Sequence, residues 1–328
     1  MANLTNEKVS TLGLNNAELN HPRIVSGKSV LALRKTPLMD SKGALVVAAG
    51  PSLHRRDVAS RLKGSDFKGA IVATESALAY CLRHEIFPGL VVTLDPHPDR
   101  IVRWFGDPNL DRALLERDDY FARQDMDPKF AQAQLRFNDE LVELVDTHGP
   151  RLRIAVASSA SPAVVDRVHS AGMEVYWWNP IYDDYDLPGS LTRRLYDLNG
   201  LPCVNAGGNV GSACWVIGHA VLAKEKIGLV GMDFGYYADT PYERTQYYYE
   251  ILKLVGEDRL DEIFVRIYNP YVNEDFFTDP AYLWYRDSLL EMAQAAPCET
   301  YNCTEGGILF GTGVRVTSLE GFLGTTVA

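Results

Sequence analysis

Residues 44–56, ALVVAAGPSLHRR, decide the fold. An unbroken apolar run stops at Gly50-Pro51-Ser52 and passes into residues that suit a helix, with Ser52 as its expected N-cap. A continuous run of small and β-branched residues is what a strand buried on both faces requires. Such strands belong to parallel sheets covered by helices.

The pattern recurs along the chain. GAIVAT (69–74), GLVVTLD (89–95), RLRIAVAS (151–158), MEVYWW (173–178) and KIGLVGMD (226–233) read as further strands. Helical stretches stand between them, including ESALAYCLRHE (75–85), SPAVVDRVHSAG (161–172) and GGNVGSACWVIGHAVLA (207–223). The expected fold class is α/β: a doubly wound, mostly parallel sheet with inserted helices. Residues 1–42 are polar with weak periodicity and read as an N-terminal extension. The charged segment 97–150 reads as a helical insertion, and 179–204 as a polar, aromatic loop. The end of the chain, 298–323, reads as a strand, a glycine-rich turn and a short helix.

Composition narrows the function classes. The chain has 328 residues, 46% hydrophobic and 23% charged, enough for a sizeable core. A net charge of −11 argues against a general nucleic-acid binder. No run approaches the roughly 18 apolar residues of a membrane span, and the N-terminus shows no secretory apolar stretch. A cytoplasmic location without membrane contact is expected. The odd count of five cysteines fits reduced, partly buried thiols, and no cysteine–histidine pattern suggests zinc.

In an open parallel sheet, ligands bind outside the carboxyl ends of the strands. The residues expected there are Gly50, Pro51, Ser52 and Leu53, then Thr74-Glu75-Ser76, then Asp95-Pro96-His97, then residues 158–161, and finally Asp233. Gly50 permits a close approach to the backbone, and a helix start after it would offer amides to a phosphate or carboxylate. It could equally be a plain strand-to-helix connection. The turn has no lysine and is neither a Walker A loop nor a G-x-G-x-x-G. Gly207, Gly208 and Asn209 open a second helix with the same anion-binding character, or serve close packing. Thr304 and Glu305 precede a glycine pair and suit sugar hydroxyls or proton transfer, or belong to an ordinary hairpin. Asp95 could hold a ribose hydroxyl or a metal, or act as a base. His97, between two prolines, is a candidate base or a turn residue. The aromatic run 236–249 offers a stacking wall, a half-buried surface or an oligomer contact.

Four stretches occur in a telling order: VVAAGPSL, GLVVTLDP, GGNVGSA with IGLVGMDFGY, and YNCTEGGILFGTG. Together, over residues 43–325, they resemble the motility-associated-factor (Maf) flagellin glycosyltransferase-like domain. That domain is grouped with the archaeal 6-hydroxymethyl-7,8-dihydropterin diphosphokinases. The resemblance implies a Rossmann-like domain and a nucleotide-bearing donor at the glycine turns. For the Maf branch it implies transfer of a nonulosonic acid from a CMP-sugar to an acceptor protein, glycan or small molecule. The turn is also similar to that of bacterial sialyltransferases, which carry an asparagine ahead of the glycine where this chain has Ala48 and Ala49. The diphosphokinase branch shows two acids after its third strand. Here Leu94 replaces the first, leaving Asp95, with Asp99 the nearest second acid.

The expected activity is therefore a nucleotide-dependent transferase, with glycosyl transfer favoured. The alternatives are an ATP- and Mg²⁺-dependent diphosphokinase and a non-catalytic nucleotide- or glycan-binding protein. The expected catalytic residues are Asp95, Glu305 and His97. Gly50, Pro51, Ser52, Leu53, Thr74, Gly207, Gly208, Asn209, Asp233 and Thr304 are expected to hold the nucleotide. No cofactor is required by the glycosyltransferase reading.

Overall fold

The computed structural model describes residues 2–97, 101–111, 113 and 128–325. Strand β1 is Lys28–Ser29, β2 Gly43–Val47, β3 Ala70–Thr74, β4 Leu90–Thr93, β5 Arg153–Ala157 and β6 Glu174–Pro180. Strand β7 is Cys203–Val204, β8 Lys226–Val230, β9 Tyr236–Tyr237, β10 Val265–Asn269, β11 Glu274–Thr278, β12 Glu299–Asn302 and β13 Val314–Val316. All but β9, β10 and β11 join one large sheet in the order β1-β6-β5-β4-β3-β2-β8-β12-β13, with β7 beside β6. Every pairing in it is parallel. From β2 the chain winds outward through β3, β4, β5 and β6. It then returns to place β8 on the other side of β2.

Helices cover both faces because the central strands are apolar on both. Ala44, Val46, Val72 and Val92 face the helix Val210–Val216 with Trp215, and the helix Pro280–Ala295 with Leu289. On the other face, Leu45, Val47 and Ala73 pack on Leu53, Leu62 and Phe322, and Val91 and Ile154 pack on Leu78 and Val164. Those residues come from the helices Ser52–Arg55, Val58–Lys63, Glu75–Arg83, Pro162–Ser170 and Leu319–Thr325.

The region before Gly43 does more than lead into the sheet. Ala2–Ser26 is a helix, β1 adds an edge strand, and Val30 and Leu33 in the 3₁₀ turn Val30–Lys35 are wholly buried. Asn16 and Asn20 tie this helix to the carboxyl ends of two strands. Asn16 Nδ2 donates to the Pro96 and Ser159 carbonyls at 3.0 and 2.9 Å, and Asn20 Nδ2 to those of Ser158 and Ala160 at 3.0 and 2.8 Å.

The stretch 179–204, expected as a loop, contains the helix Leu191–Asn199 and strand β7. Ser190 caps that helix and Gly200 ends it at φ 65°. The aromatic region after Asp233 builds a separate antiparallel sheet in the order β10-β11-β9. Its Tyr236 is buried and stacks on Phe277 and Tyr282. Of the expected insertion at 97–150, the structure describes the 3₁₀ turn Val102–Phe105 and the helix Pro128–His148. Residues 98–100, 112 and 114–127 lie outside the described residues. All five cysteines are free thiols, and Cys203 alone is not buried.

Replacing Asn20 by Ala removes two buried donors and leaves their carbonyls unpaired. It should cost about 2 kcal/mol and lower the midpoint of chemical denaturation accordingly. An unchanged midpoint would mean that the N-terminal helix does not lean on these bonds.

Candidate active site

The strand order reverses between β2 and β8, so the crevice of the fold opens there. The pairing of β2 with β8 continues past both strands. The Ala48 amide donates to the Val230 carbonyl and the Gly50 amide to the Gly231 carbonyl, each at 2.9 Å. The two turns nearly touch. A Cβ on Gly50 would stand 2.0 Å from Asp233 Oδ2 and 2.4 Å from the Gly231 oxygen. Gly231, at φ 69°, would place its own Cβ 2.0 Å from the Ala48 oxygen. Both positions need glycine for packing, whether or not a ligand approaches. A bulky side chain at Gly50 would therefore disturb the fold itself.

Ser52 is not the N-cap that its sequence context suggests. Pro51 holds that position, and Ser52 begins a helix of four residues that Asp57, at φ 46°, brings to an end. So short a helix has little dipole. The turn's amides are engaged: Ser52 N approaches Asp233 Oδ2 at 3.4 Å and Leu53 N donates to the Gly50 carbonyl. The Ser52 hydroxyl donates to Asp233 Oδ2 at 2.7 Å.

Asp233 is thus the centre of the crevice. It is 3% exposed, and burial raises its carboxyl to about 7 against the pull of the Ser52 bonds and the Arg56 guanidinium. Its Oδ1 has no hydrogen-bond partner. The turn after β12 wraps around it. Thr304 Oγ1 accepts from the Met232 amide at 3.3 Å, and Ile308 N donates to the Asp233 carbonyl at 2.8 Å. Two non-glycine residues on these turns, Phe234 at φ 50° and Glu305 at φ 51°, adopt the left-handed conformation. Packing must hold that strain, which is common at functional sites.

A cleft of about 420 Å³ opens alongside, lined by Arg55, Arg56, Tyr237, Asp239 and Glu274. Arg55 forks onto Asp239 at 2.9 and 3.0 Å and lies over the Tyr237 ring. Arg56 donates to Glu274 at 2.8 Å, and its guanidinium lies against the Tyr237 hydroxyl. Planar acid–guanidinium pairs beside an aromatic ring present donors and acceptors together, the pattern that polyhydroxylated rings require.

The other expected residues fall in different places. Glu305 is held by Arg61 through bonds of 2.6 and 2.9 Å and accepts from the Leu319 amide. Gly207 and Gly208 pack on Met292, Trp284 and Tyr285, and Asn209 caps the following helix through Ser212 N. Across the rim, Thr74 caps the helix Glu75–Arg83. Asp95 accepts from the His97 amide at 2.8 Å, and its charge acts on Glu75, Tyr182 and Tyr285. Asp99, the second acid of the diphosphokinase reading, lies outside the described residues. Among the described residues, no group of three or more His, Cys, Asp or Glu is arranged to hold a metal ion. No helix among them is long and apolar enough to cross a membrane.

Sequence reasoning gave no role to Arg56, placed Glu75 on the rim without a task, and saw Tyr237 only as part of the aromatic run 236–249. The paired arginines of HRR were legible as a charge beside the turn, but the cleft they enter is made by a strand from 274–278. Glu75 is buried with Oε2 unpartnered, and burial pushes its carboxyl up to about 8.

The fold has a solved counterpart. The chain matches the structure of a MAf glycosyltransferase from Magnetospirillum magneticum AMB-1 with a TM-score of 0.51 at 14% sequence identity. The match covers 85% of this chain and 34% of that one, so the chain spans about a third of that protein's length. At this identity the likeness is one of fold, and it falls on the family that the four motifs resemble. No family model and no curated protein matches the chain.

Glu75 gives the site a pH signature. Its folded pKa lies above the unfolded value, so its stabilising contribution is complete below about pH 4.5 and lost as pH rises to about 8. Glu75→Gln should therefore melt higher than the wild type at pH 8 while losing that advantage near pH 4. Each pH unit of displacement is worth roughly 1.4 kcal/mol. Parallel melting curves for the two proteins across that range would refute the buried, uncharged Glu75.

Proposed function

We propose that the protein is a nucleotide-dependent transferase that moves a glycosyl group from a sugar nucleotide, with a CMP-nonulosonic acid as the donor class. The observation that carries this reading is the crevice at the β2–β8 reversal, where an acid-and-arginine cleft adjoins a buried carboxylate with a free oxygen. The likeness to a fold that serves a glycosyltransferase supports it at the level of the fold.

The chemistry suits these residues. Glycosyl transfer needs the leaving phosphate stabilised and an acceptor hydroxyl brought to the anomeric carbon. With the amides of residues 52 and 53 engaged, Arg55 and Arg56 are the groups that would meet the phosphate or a sugar carboxylate. The start of the helix Val210–Val216, with Asn209, remains a candidate for the nucleotide. Asp95 lies across the rim and would serve sugar or ribose hydroxyls there. The acceptor is a hydroxyl of a protein, a glycan or a small molecule.

A thermal-shift panel of CMP, CDP, UDP, GDP, ADP and ATP, each with and without Mg²⁺, tests the reading. CMP or CDP should raise the melting temperature without metal; a ligand at 100 times its Kd contributes about 2.7 kcal/mol. A shift confined to ATP with Mg²⁺ would replace glycosyl transfer by the diphosphokinase reaction. No shift with any nucleotide would remove the transferase reading.

A further inference from the structure

We propose that Arg55 binds an oxyanion of the donor in exchange for Asp239, the acid of this chain that now stands on its guanidinium. The inference rests on the transferase reading above and deepens it. It names the residue that selects an acidic donor and the residue that yields to it.

The argument begins with how Arg55 is held. Its guanidinium lies over the Tyr237 ring, 3.9 Å from the ring centroid. Tyr237 is buried, belongs to β9 and meets Phe276 edge-on, so the ring is a fixed floor. A guanidinium stacked on an aromatic face keeps its plane and its place without help from an acid. Asp239 engages one corner of it: Arg55 Nη2 donates to both carboxylate oxygens, at 2.9 and 3.0 Å. An arginine carries five N–H donors, and those on Nε and Nη1 bond to no described residue.

Exposure separates the two ion pairs of the cleft. The side chains of Arg55 and Asp239 are 45% and 69% exposed, those of Arg56 and Glu274 29% and 38%. An ion pair open to water holds weakly, because both charges are solvated when it breaks. Asp239 also sits in a turn that closes behind it. The Thr240 amide donates to the Tyr237 carbonyl at 2.9 Å, with Ala238 and Asp239 between them. The Asp239 side chain can therefore swing into water without disturbing β9. Glu274 has less freedom, since it lies within β11 and pairs with Asn269 of β10. The Arg56–Glu274 pair is the wall of the cleft, and the Arg55–Asp239 pair is the one that exchanges.

The group that replaces Asp239 must resemble it. A planar guanidinium matches the oxygens of a carboxylate or a phosphate, and this one already holds a carboxylate. With Asp239 in place, the two arginines and two acids of the cleft balance. When Asp239 swings out, one positive charge is left that an oxyanion cancels and a neutral sugar does not. The exchange thus selects acidic donors. The donor class proposed above carries two such groups, its phosphate and its sugar carboxylate.

The test is isothermal titration of the full chain with CMP, N-acetylneuraminate and CMP-N-acetylneuraminate. Arg55→Gln should weaken binding of the group seated on Arg55 about 10-fold or more. Asp239→Asn should tighten the same ligand about 5-fold, because the competing charge is gone. A gain of affinity does not arise from a damaged fold. Both effects with CMP assign the phosphate to Arg55; effects confined to CMP-N-acetylneuraminate and the free sugar acid assign the carboxylate. Unchanged binding in both variants would mean that the donor sits away from the cleft. Weaker binding in Asp239→Asn would mean that the intact ion pair serves the ligand. Either result overturns the proposal while the wild type still binds CMP-N-acetylneuraminate and the transferase reading stands. If neither the wild type nor Asp239→Asn binds any of the three, the reading fails and the proposal falls with it.

Discussion

The hydrogen bond from the Gly50 amide to the Gly231 carbonyl joins two turns that belong to opposite halves of the molecule. The sheet runs one way from β2 and the other way from β8, so these turns meet where the chain changes direction. Their closeness leaves no room for a Cβ at either glycine. It also delivers Asp233, two residues beyond Gly231, against the start of the helix that follows Gly50. The small-residue turn and the buried carboxylate are consequences of one approach.

That approach has an energetic cost. Asp233 and Glu75 are carboxyls buried at the rim, each with an oxygen that bonds to nothing, and burial raises the pKa of both. Phe234 and Glu305 hold left-handed backbone beside Asp233. A chain selected for stability alone would replace such groups by apolar ones or satisfy them fully. Glu75 lies across the rim after β3, but Asp233, Phe234 and Glu305 coincide at the strand-order reversal, and that is the physical reason for placing the chemistry there rather than in another surface hollow.

The central strands were legible because each is a short apolar run that no amphipathic helix would show, and the rim residues followed from where those runs stop. Other elements were less visible. The helix Leu191–Asn199 carries a capping serine and a terminal glycine, yet its polar face made 179–204 read as loop. The small sheet pairs a two-residue strand, β9, with two strands of five, and β10 is mostly exposed, so the tyrosines of 236–249 suggested a wall or a surface instead of a ladder. The N-terminal helix has little periodicity because it is held by Asn16 and Asn20 bonding to distant carbonyls, an interaction with no sequence period.

The sequence by itself determined the parallel α/β architecture, the strands that end in glycine, acid or hydroxyl, and thus the edge of the sheet where a ligand belongs. Strand burial is a local property, set by which side chains water rejects, and it can be read residue by residue. Tertiary structure alone decided what those residues do. Ser52 became a partner of Asp233 instead of a helix cap because β8 lies beside β2. Glu305 was drawn to Arg61, and Tyr237 and Arg56 came together from 181 positions apart. Such assignments depend on which buried polar groups find partners across the fold, and local pattern carries no record of that distance.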